Sequence, residues 1–266
     1  MTTLPYWHVD AFAARPFTGN QAAVIELESW LPDETLLAIA AENMFADTAF
    51  LLRDASGEAD WELRWFSPAT EVALCGHATL ASGHVLLGRE QLDRVTFRTR
   101  RSGILELRRS EGGSGYELAL PAIGLAPGDW PEAAALLGAE PRQTRTGSEG
   151  YAVFLLESEA ALRALRPDFA GLAALGNEQF ICTAPGTATD IVSRVFVPGA
   201  GVNEDSVTGS AHAALAPLWA ALLGRETFTA HQASQRGGDL QCRVDGARAW
   251  IGGDCVTVVE GSFFLP

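Results

Sequence analysis

The chain repeats itself at half its length, and no other feature narrows its folding as strongly. Pro32-Asp33 opens an Ala/Leu-rich stretch that ends in Phe45-Ala46-Asp47-Thr48-Ala49. Pro167-Asp168 opens another, ending in Phe180-Ile181-Cys182-Thr183-Ala184, at a common offset of 135 residues. Arg64-Trp65-Phe66-Ser67-Pro68 is echoed by Arg194-Val195-Phe196-Val197-Pro198, and Val72 and His77 by Val207 and His212. Leu86-Leu87-Gly88-Arg89-Glu90 recurs as Leu222-Leu223-Gly224-Arg225-Glu226. Upstream, Thr18-Gly19-Asn20 faces Thr146-Gly147-Ser148, with Ala23-Val24 and Ala152-Val153 behind them. On this register Cys182 stands at the repeat position of Asp47. Compositional bias in an Ala/Leu-rich chain is the competing explanation, and the shared order of the matches argues against it.

Each half then has one order of elements. A strand near 22–27 precedes a helix that starts at Pro32-Asp33, where a first-turn proline and an acidic neighbour are start signals. Short apolar strands follow, near 48–52 and 62–66, and then a long helix, 76–87 in the first half and 209–223 in the second. The second of these helices is apolar on nearly every face, which predicts a helix wrapped by a curled sheet. Further strands near 94–108 and 115–120 match 240–244 and 247–259. The expected fold is α+β, with two pseudo-symmetric domains at 1–124 and 125–266. Each is a rolled, mostly antiparallel sheet around a central helix. Pro121, Pro127, Gly128 and Pro131 mark a join around 122–138. The last residues, Ser262 to Pro266, are open to assignment to either domain.

Composition removes several function classes. The net charge is -14 and every one of the 19 basic residues is Arg. Without lysine there is no Schiff base, no lysine general base and no phosphate loop of the Walker type. An acidic surface repels phosphate backbones and anionic membranes, so no nucleic-acid or membrane partner is expected and a small molecule is. Cys75, Cys182, Cys242 and Cys255 are widely spaced, without a C-x-x-C pair or a histidine cluster. This pattern predicts neither a metal site nor a disulfide framework, and free thiols fit a reducing cytoplasm. The N-terminus lacks a basic region followed by an apolar run, and no stretch of about 18 apolar residues occurs.

Polar residues converge ahead of both long helices. Glu71-Val72-Ala73-Leu74-Cys75-Gly76-His77-Ala78-Thr79 precedes the first, and Asn203-Glu204-Asp205-Ser206-Val207-Thr208-Gly209-Ser210-Ala211-His212 precedes the second. Glycine at a helix start permits a tight turn and bares N–H groups where the dipole adds positive potential. Two such starts facing one cleft would hold an anion without lysine. The plainer alternative is close packing, with Thr79 and Ser210 as caps.

These residues carry a resemblance. Val9-Asp10-Ala11-Phe12, Pro16-Phe17-Thr18-Gly19-Asn20, the Cys75-Gly76-His77-Ala78-Thr79 box and the Glu204-Asp205-x-x-Thr208-Gly209-Ser210-Ala211 box resemble the PhzF-like (phenazine biosynthesis) isomerase family. That family is similar in fold to diaminopimelate epimerase, with an active site between two related domains. The resemblance implies isomerisation by proton transfer on a small carboxylate-bearing metabolite, without cofactor or metal, in a homodimer. Its acid/base is a Glu in a Ser-Glu-Thr-Ala-Phe motif, and here the run reads Ala46-Asp47-Thr48-Ala49-Phe50. Asp47 therefore inherits the role one methylene short; misplacement of a base by about 1 Å can cost roughly 10²-fold. Glu42, five residues earlier, reads as a solvated helix face. As catalytic residues, His77 resembles the histidine that contacts substrate and can assist proton movement, and Asp205 the aspartate beside the substrate's polar group, which would hold His77 or a substrate amino group; a core histidine and a capping carboxylate are the plainer readings. Gly76, Gly209 and Ser210 would donate to the substrate carboxylate, and Asn20 would fix the same cleft or serve a turn. Two alternatives stay open. One is a two-base cysteine racemase using Cys75. The other is a ligand-binding homologue that lost catalysis with the Glu.

Overall fold

Strand pairing in the first half begins with Thr2–Ala11, which runs antiparallel to Asn20–Leu27 on one side and to Cys255–Leu265 on the other. The computed structural model describes residues 2–111, 115–148 and 150–265, so Pro266 of the terminal segment lies outside the described residues. The chain divides into two compact units, Met1–Leu120 with Gly252–Pro266, and Pro121–Ile251.

In the first unit Asn20–Leu27 runs parallel to Asp47–Arg53, which pairs antiparallel with Trp61–Phe66. Trp61–Phe66 lies parallel to Arg94–Thr99, and Ile104–Arg109 and Tyr116–Pro121 add antiparallel strands. The parallel steps need a crossover, and helices α1 (Asp33–Asn43) and α2 (Gly76–Glu90) supply it. Leu36, Ile39 and Ala40 recur at helical spacing on α1 and are buried against Ile25, Leu27, Phe50 and Phe66. Met44 ends α1 in the left-handed region at φ 54°. Helix α2 is enclosed by strands, with almost every residue from Gly76 to Leu87 buried. A Cβ at Gly83 would meet the Leu107 side chain at 2.3 Å, so the glycine is what lets strand Ile104–Arg109 lie flat on the helix.

The second unit repeats the pairing order. Gln143–Gly147 is antiparallel to Leu125–Gly128 and to Tyr151–Leu155, which runs parallel to Gln179–Pro185. Ile191–Val197 follows antiparallel, then Thr227–Gln232 parallel and Gly238–Asp245 antiparallel. Its helices are α3 (Pro131–Leu137), α4 (Glu159–Ala164), α5 (Phe169–Ala174) and α6 (Gly209–Leu223). The segment 122–138 is ordered structure, holding strand Leu125–Gly128 and all of α3. Pro131 sits at the start of α3 and Gly138 ends it at φ 66°, the reverse of a bare linker. Helix α6 carries Pro217 in its interior, where proline cannot donate to the carbonyl four residues back. That carbonyl, Ala213 O, instead accepts from Ile123 N at 3.2 Å.

The strand registers correct the uniform repeat offset of 135. Phe50 stands opposite Arg64 and Cys182 opposite Arg194, while Asp47 pairs with Ala22 and Gln179 with Tyr151. Cys182 is therefore the counterpart of Phe50, and Gln179 that of Asp47. The Phe-x-x-Thr-Ala match was one of residue type only, three positions out of the pairing register. Arg64 and Arg194 are true counterparts. Arg64 Nε donates to Glu71 Oε1 and Arg194 Nε to Glu204 Oε1, each at 2.7 Å. His77 is the second residue of α2, whereas His212 is the fourth of α6, so Ser210 holds the place that corresponds to His77. Among the described residues, no helix is long and apolar enough to cross a membrane.

Candidate active site

Asp47 opens its strand and Cys75 and His77 flank the first residue of α2, so two elements that meet in the core of the first unit bring the three together. The Cys75 thiol donates to Asp47 Oδ2 at 3.1 Å and lies 3.5 Å from His77 Nδ1. His77 Nε2 is 3.9 Å from Asp47 Oδ2. Asn20 Nδ2 reaches His77 Nδ1 at 3.2 Å. An amide N–H can only donate, so with this amide orientation Nδ1 accepts and the neutral ring carries its proton on Nε2. Nε2 is buried and has no hydrogen-bond partner among the described residues.

The position of Asn20 is forced by its neighbour. Gly19 has φ +67°, and a Cβ there would come within 2.2 Å of Ala11 O. Only glycine tolerates both. Asp10, which the sequence reading passed over as a site residue, is 1% exposed and accepts from Phe17 N at 2.8 Å, tying down the same loop. A buried carboxylate at the end of a strand was the available signal.

Helix α2 begins at Gly76 with Cys75 as its N-cap in extended conformation and no side chain capping its first turn. Thr79 is no cap; its hydroxyl donates back to Cys75 O at 2.5 Å. The first-turn N–H groups thus keep the partial positive charge that favours an anion. Glu42 is exposed on α1.

Asp205, Gly209 and Ser210 form a separate arrangement in the second unit. Asp205 Oδ2 accepts from Thr208 Oγ1 at 2.5 Å and Oδ1 from Ser206 N at 2.9 Å, so its carboxylate ties the turn before α6. Gln232, buried and absent from the sequence reading, accepts from Thr208 N at 2.8 Å and donates to Asp205 O at 2.8 Å. Gly209 starts α6 after Thr208, again with no side-chain cap, and Ser210 is buried in its first turn. His212 is fully buried. Its Nδ1 donates to Thr208 O at 2.8 Å, and Nε2 accepts from Ser193 Oγ at 3.1 Å. Burial lowers its pKa to about 4, so it stays neutral. Cys182 is equally enclosed, in the second unit's apolar core, and burial pushes its thiol up to about 12. A thiol so protonated is no second racemase base.

Asp47, Cys75 and His77 are also a donor set for a cation: one ligand atom from each lies within 4.8 Å of the other two.

The family model described as phenazine biosynthesis-like protein, PhzC-PhzF, matches residues 9–261. An uncharacterized isomerase of Pseudomonas aeruginosa is 47% identical, over 98% of this chain and 99% of its own. A crystal structure of a PhzF family phenazine biosynthesis protein from Enterococcus faecalis superposes with TM-score 0.90 at 39% identity, covering 99% of this chain and 100% of that one. A hydroxyproline epimerase from Agrobacterium vitis, solved with trans-4-hydroxy-L-proline bound, shares the fold at TM-score 0.62 and 12% identity, over 98% of this chain and 92% of that one.

Proposed function

Because the chain belongs to the phenazine biosynthesis-like PhzC-PhzF family, we propose that it is an isomerase moving a proton on a small carboxylate-bearing metabolite, with Asp47 as the acid/base. The observation that carries this reading is the Asp47–His77 pair, held 3.9 Å apart beside an uncapped helix start.

Asp47 as carboxylate takes the proton from a carbon activated by the substrate's own unsaturation or carboxylate. The electron pair left behind spreads into that group, and the Asp47 carboxylic acid, whose proton exchanges with solvent, returns a proton to the product carbon. His77, oriented by Asn20, presents Nε2–H to the polar group on which charge develops. The N–H groups of Gly76 and its neighbours stabilise that charge as fixed dipoles, which need no reorganisation during the step. No external oxidant or cofactor enters the balance. A substrate carboxylate suits an acidic protein only if local donors overcome the overall field, and a bare helix start is such a donor set.

In this reading Asp205 is a further catalytic residue, holding a polar group of the substrate, and Gly209 and Ser210 take part in substrate binding. Ser210, which holds the place in α6 that His77 holds in α2, donates O–H or N–H to an anionic group. Ser210→Ala is expected to raise KM more than it lowers kcat, as for binding that is uniform along the reaction, whereas Asp205→Asn is expected to lower kcat.

The experiment is proton exchange in heavy water. A panel of small unsaturated and 2-substituted carboxylates is incubated with the protein and followed by mass spectrometry. Uptake of one deuterium that accompanies isomerisation supports the reading. Binding with no uptake above the Asp47→Ala background supports a ligand-binding homologue instead.

A further inference from the structure

We propose that Asp47, Cys75 and His77 form a binding site for a zinc-like divalent ion, whose occupancy excludes the proton-transfer function of Asp47 and His77. The proposal stands on the donor set and not on the proton-transfer reading.

The donors are of the types zinc takes: one sulfur, one nitrogen and one carboxylate oxygen. With metal–sulfur bonds of about 2.3 Å and metal–nitrogen or metal–oxygen bonds of about 2.0 Å, the edges of a tetrahedral site are about 3.3 to 3.6 Å long. Cys75 Sγ is 3.1 Å from Asp47 Oδ2, His77 Nε2 is 3.9 Å from Asp47 Oδ2, and one ligand atom from each of the three residues lies within 4.8 Å of the other two. The first two bracket the tetrahedral edge, and rotation of the three side chains about a cation would close the remaining one. Cys75 and His77 are buried, and His77 Nε2 has no hydrogen-bond partner among the described residues; with the ring proton moved to Nδ1, its lone pair can take a metal.

Charge balances. Binding releases the Cys75 thiol proton to solvent, leaving a thiolate and a carboxylate to neutralise a dication, with imidazole as the neutral third ligand. The helix start repels a cation, and the same positive potential favours the Cys75 thiolate that the metal requires. Asn20 provides the outer contact: with its amide reversed, Oδ1 accepts from the ring nitrogen not bound to metal and fixes the imidazole. Three protein ligands leave a fourth position open for water or a carboxylate. Among the described residues, Asp47, Cys75 and His77 are the one group of three such donors gathered this closely.

Cobalt(II) is the probe, because a thiolate ligand gives it a sulfur-to-metal charge-transfer band. Full-length, chelator-stripped protein titrated with cobalt should develop that band to saturation at one metal per chain, and zinc should bleach it. Cys75→Ser should abolish the band, Cys242→Ser should keep it, and His77→Gln and Asp47→Asn should each weaken binding at least tenfold. Asn20→Ala should weaken it about 10- to 100-fold. A wild-type titration with no charge-transfer band overturns the proposal, and so does a band that survives Cys75→Ser. No substrate is present, so this result and the isomerase reading can fail separately.

Discussion

The Cys75 thiol donates to Asp47 Oδ2 across 3.1 Å, which places a sulfur beside the carboxylate proposed as the acid/base. In a cysteine racemase the thiolate takes the substrate proton, and losing it removes activity altogether. In the proposed mechanism Cys75 only orients Asp47. Cys75→Ser, which keeps a donor, should hold exchange activity within about tenfold of wild type, since a single orienting hydrogen bond is worth about 1 kcal/mol. Loss of about 10³-fold or more in that variant, measured by proton exchange, would hand the chemistry to the thiol.

Replacing Asp47 by Glu should not improve the enzyme. Asp47 is packed against Cys75 and His77 at the distances given above, and an added methylene must displace one of them. Asp47→Glu is expected to lower kcat on this protein's own substrate by roughly 10²-fold, the cost of misplacing a base by about 1 Å. Steady-state kinetics on both forms decides this.

Stability should fall in acid through His212. Its folded pKa is lowered to about 4 from 6.5, so between those values the unfolded chain binds more protons and stability rises with pH. The contribution is fully present above about pH 6.5 and is lost as pH falls toward 4, to a limit on the order of 3 kcal/mol. His84, lowered by burial and then by Arg109, acts in the same direction. Urea unfolding at near-neutral pH and at about pH 5 should show the loss, and His212→Gln should flatten the dependence across that window.

Arg64 is 2% exposed and serves Glu71, Asp33 and the faces of Trp30 and Phe66. Arg64→Ala leaves half-buried Glu71 with only Arg100 at 3.3 Å among the described residues and opens a gap, and should cost on the order of 2 kcal/mol in unfolding free energy. Arg64→Met should cost less, because it restores the volume over Trp30 and Phe66.

Much of this was legible in the residues. The duplication, the order of elements and both long helices follow from periodicity and repeat. Strand Asn20–Leu27 and helix Gly209–Leu223 lie where the repeated element order and an all-apolar helix put them. The registers were not legible, because Phe-x-x-Thr-Ala recurs three residues away from the pairing position and sequence identity carries no information on which residues sit across a ladder. The gathering of Asn20, Asp47, Cys75 and His77 was visible only through family motifs. The Cys75–Asp47 bond and the metal donor set arise from tertiary proximity between residues 28 apart, which no spacing rule covers. Gln232 was unreadable for the same reason, being an isolated amide on a strand that reaches back to the start of α6.

The central claim is that the Asp47 carboxylate carries the migrating proton. Its most direct test is the rate of solvent deuterium incorporation into a turned-over carboxylate substrate by wild type and by Asp47→Asn, which is nearly isosteric and cannot titrate. The account predicts that Asp47→Asn still binds the substrate and loses incorporation by about 10²- to 10⁴-fold, the usual contribution of a positioned acid/base. Incorporation at the wild-type rate in Asp47→Asn would contradict it.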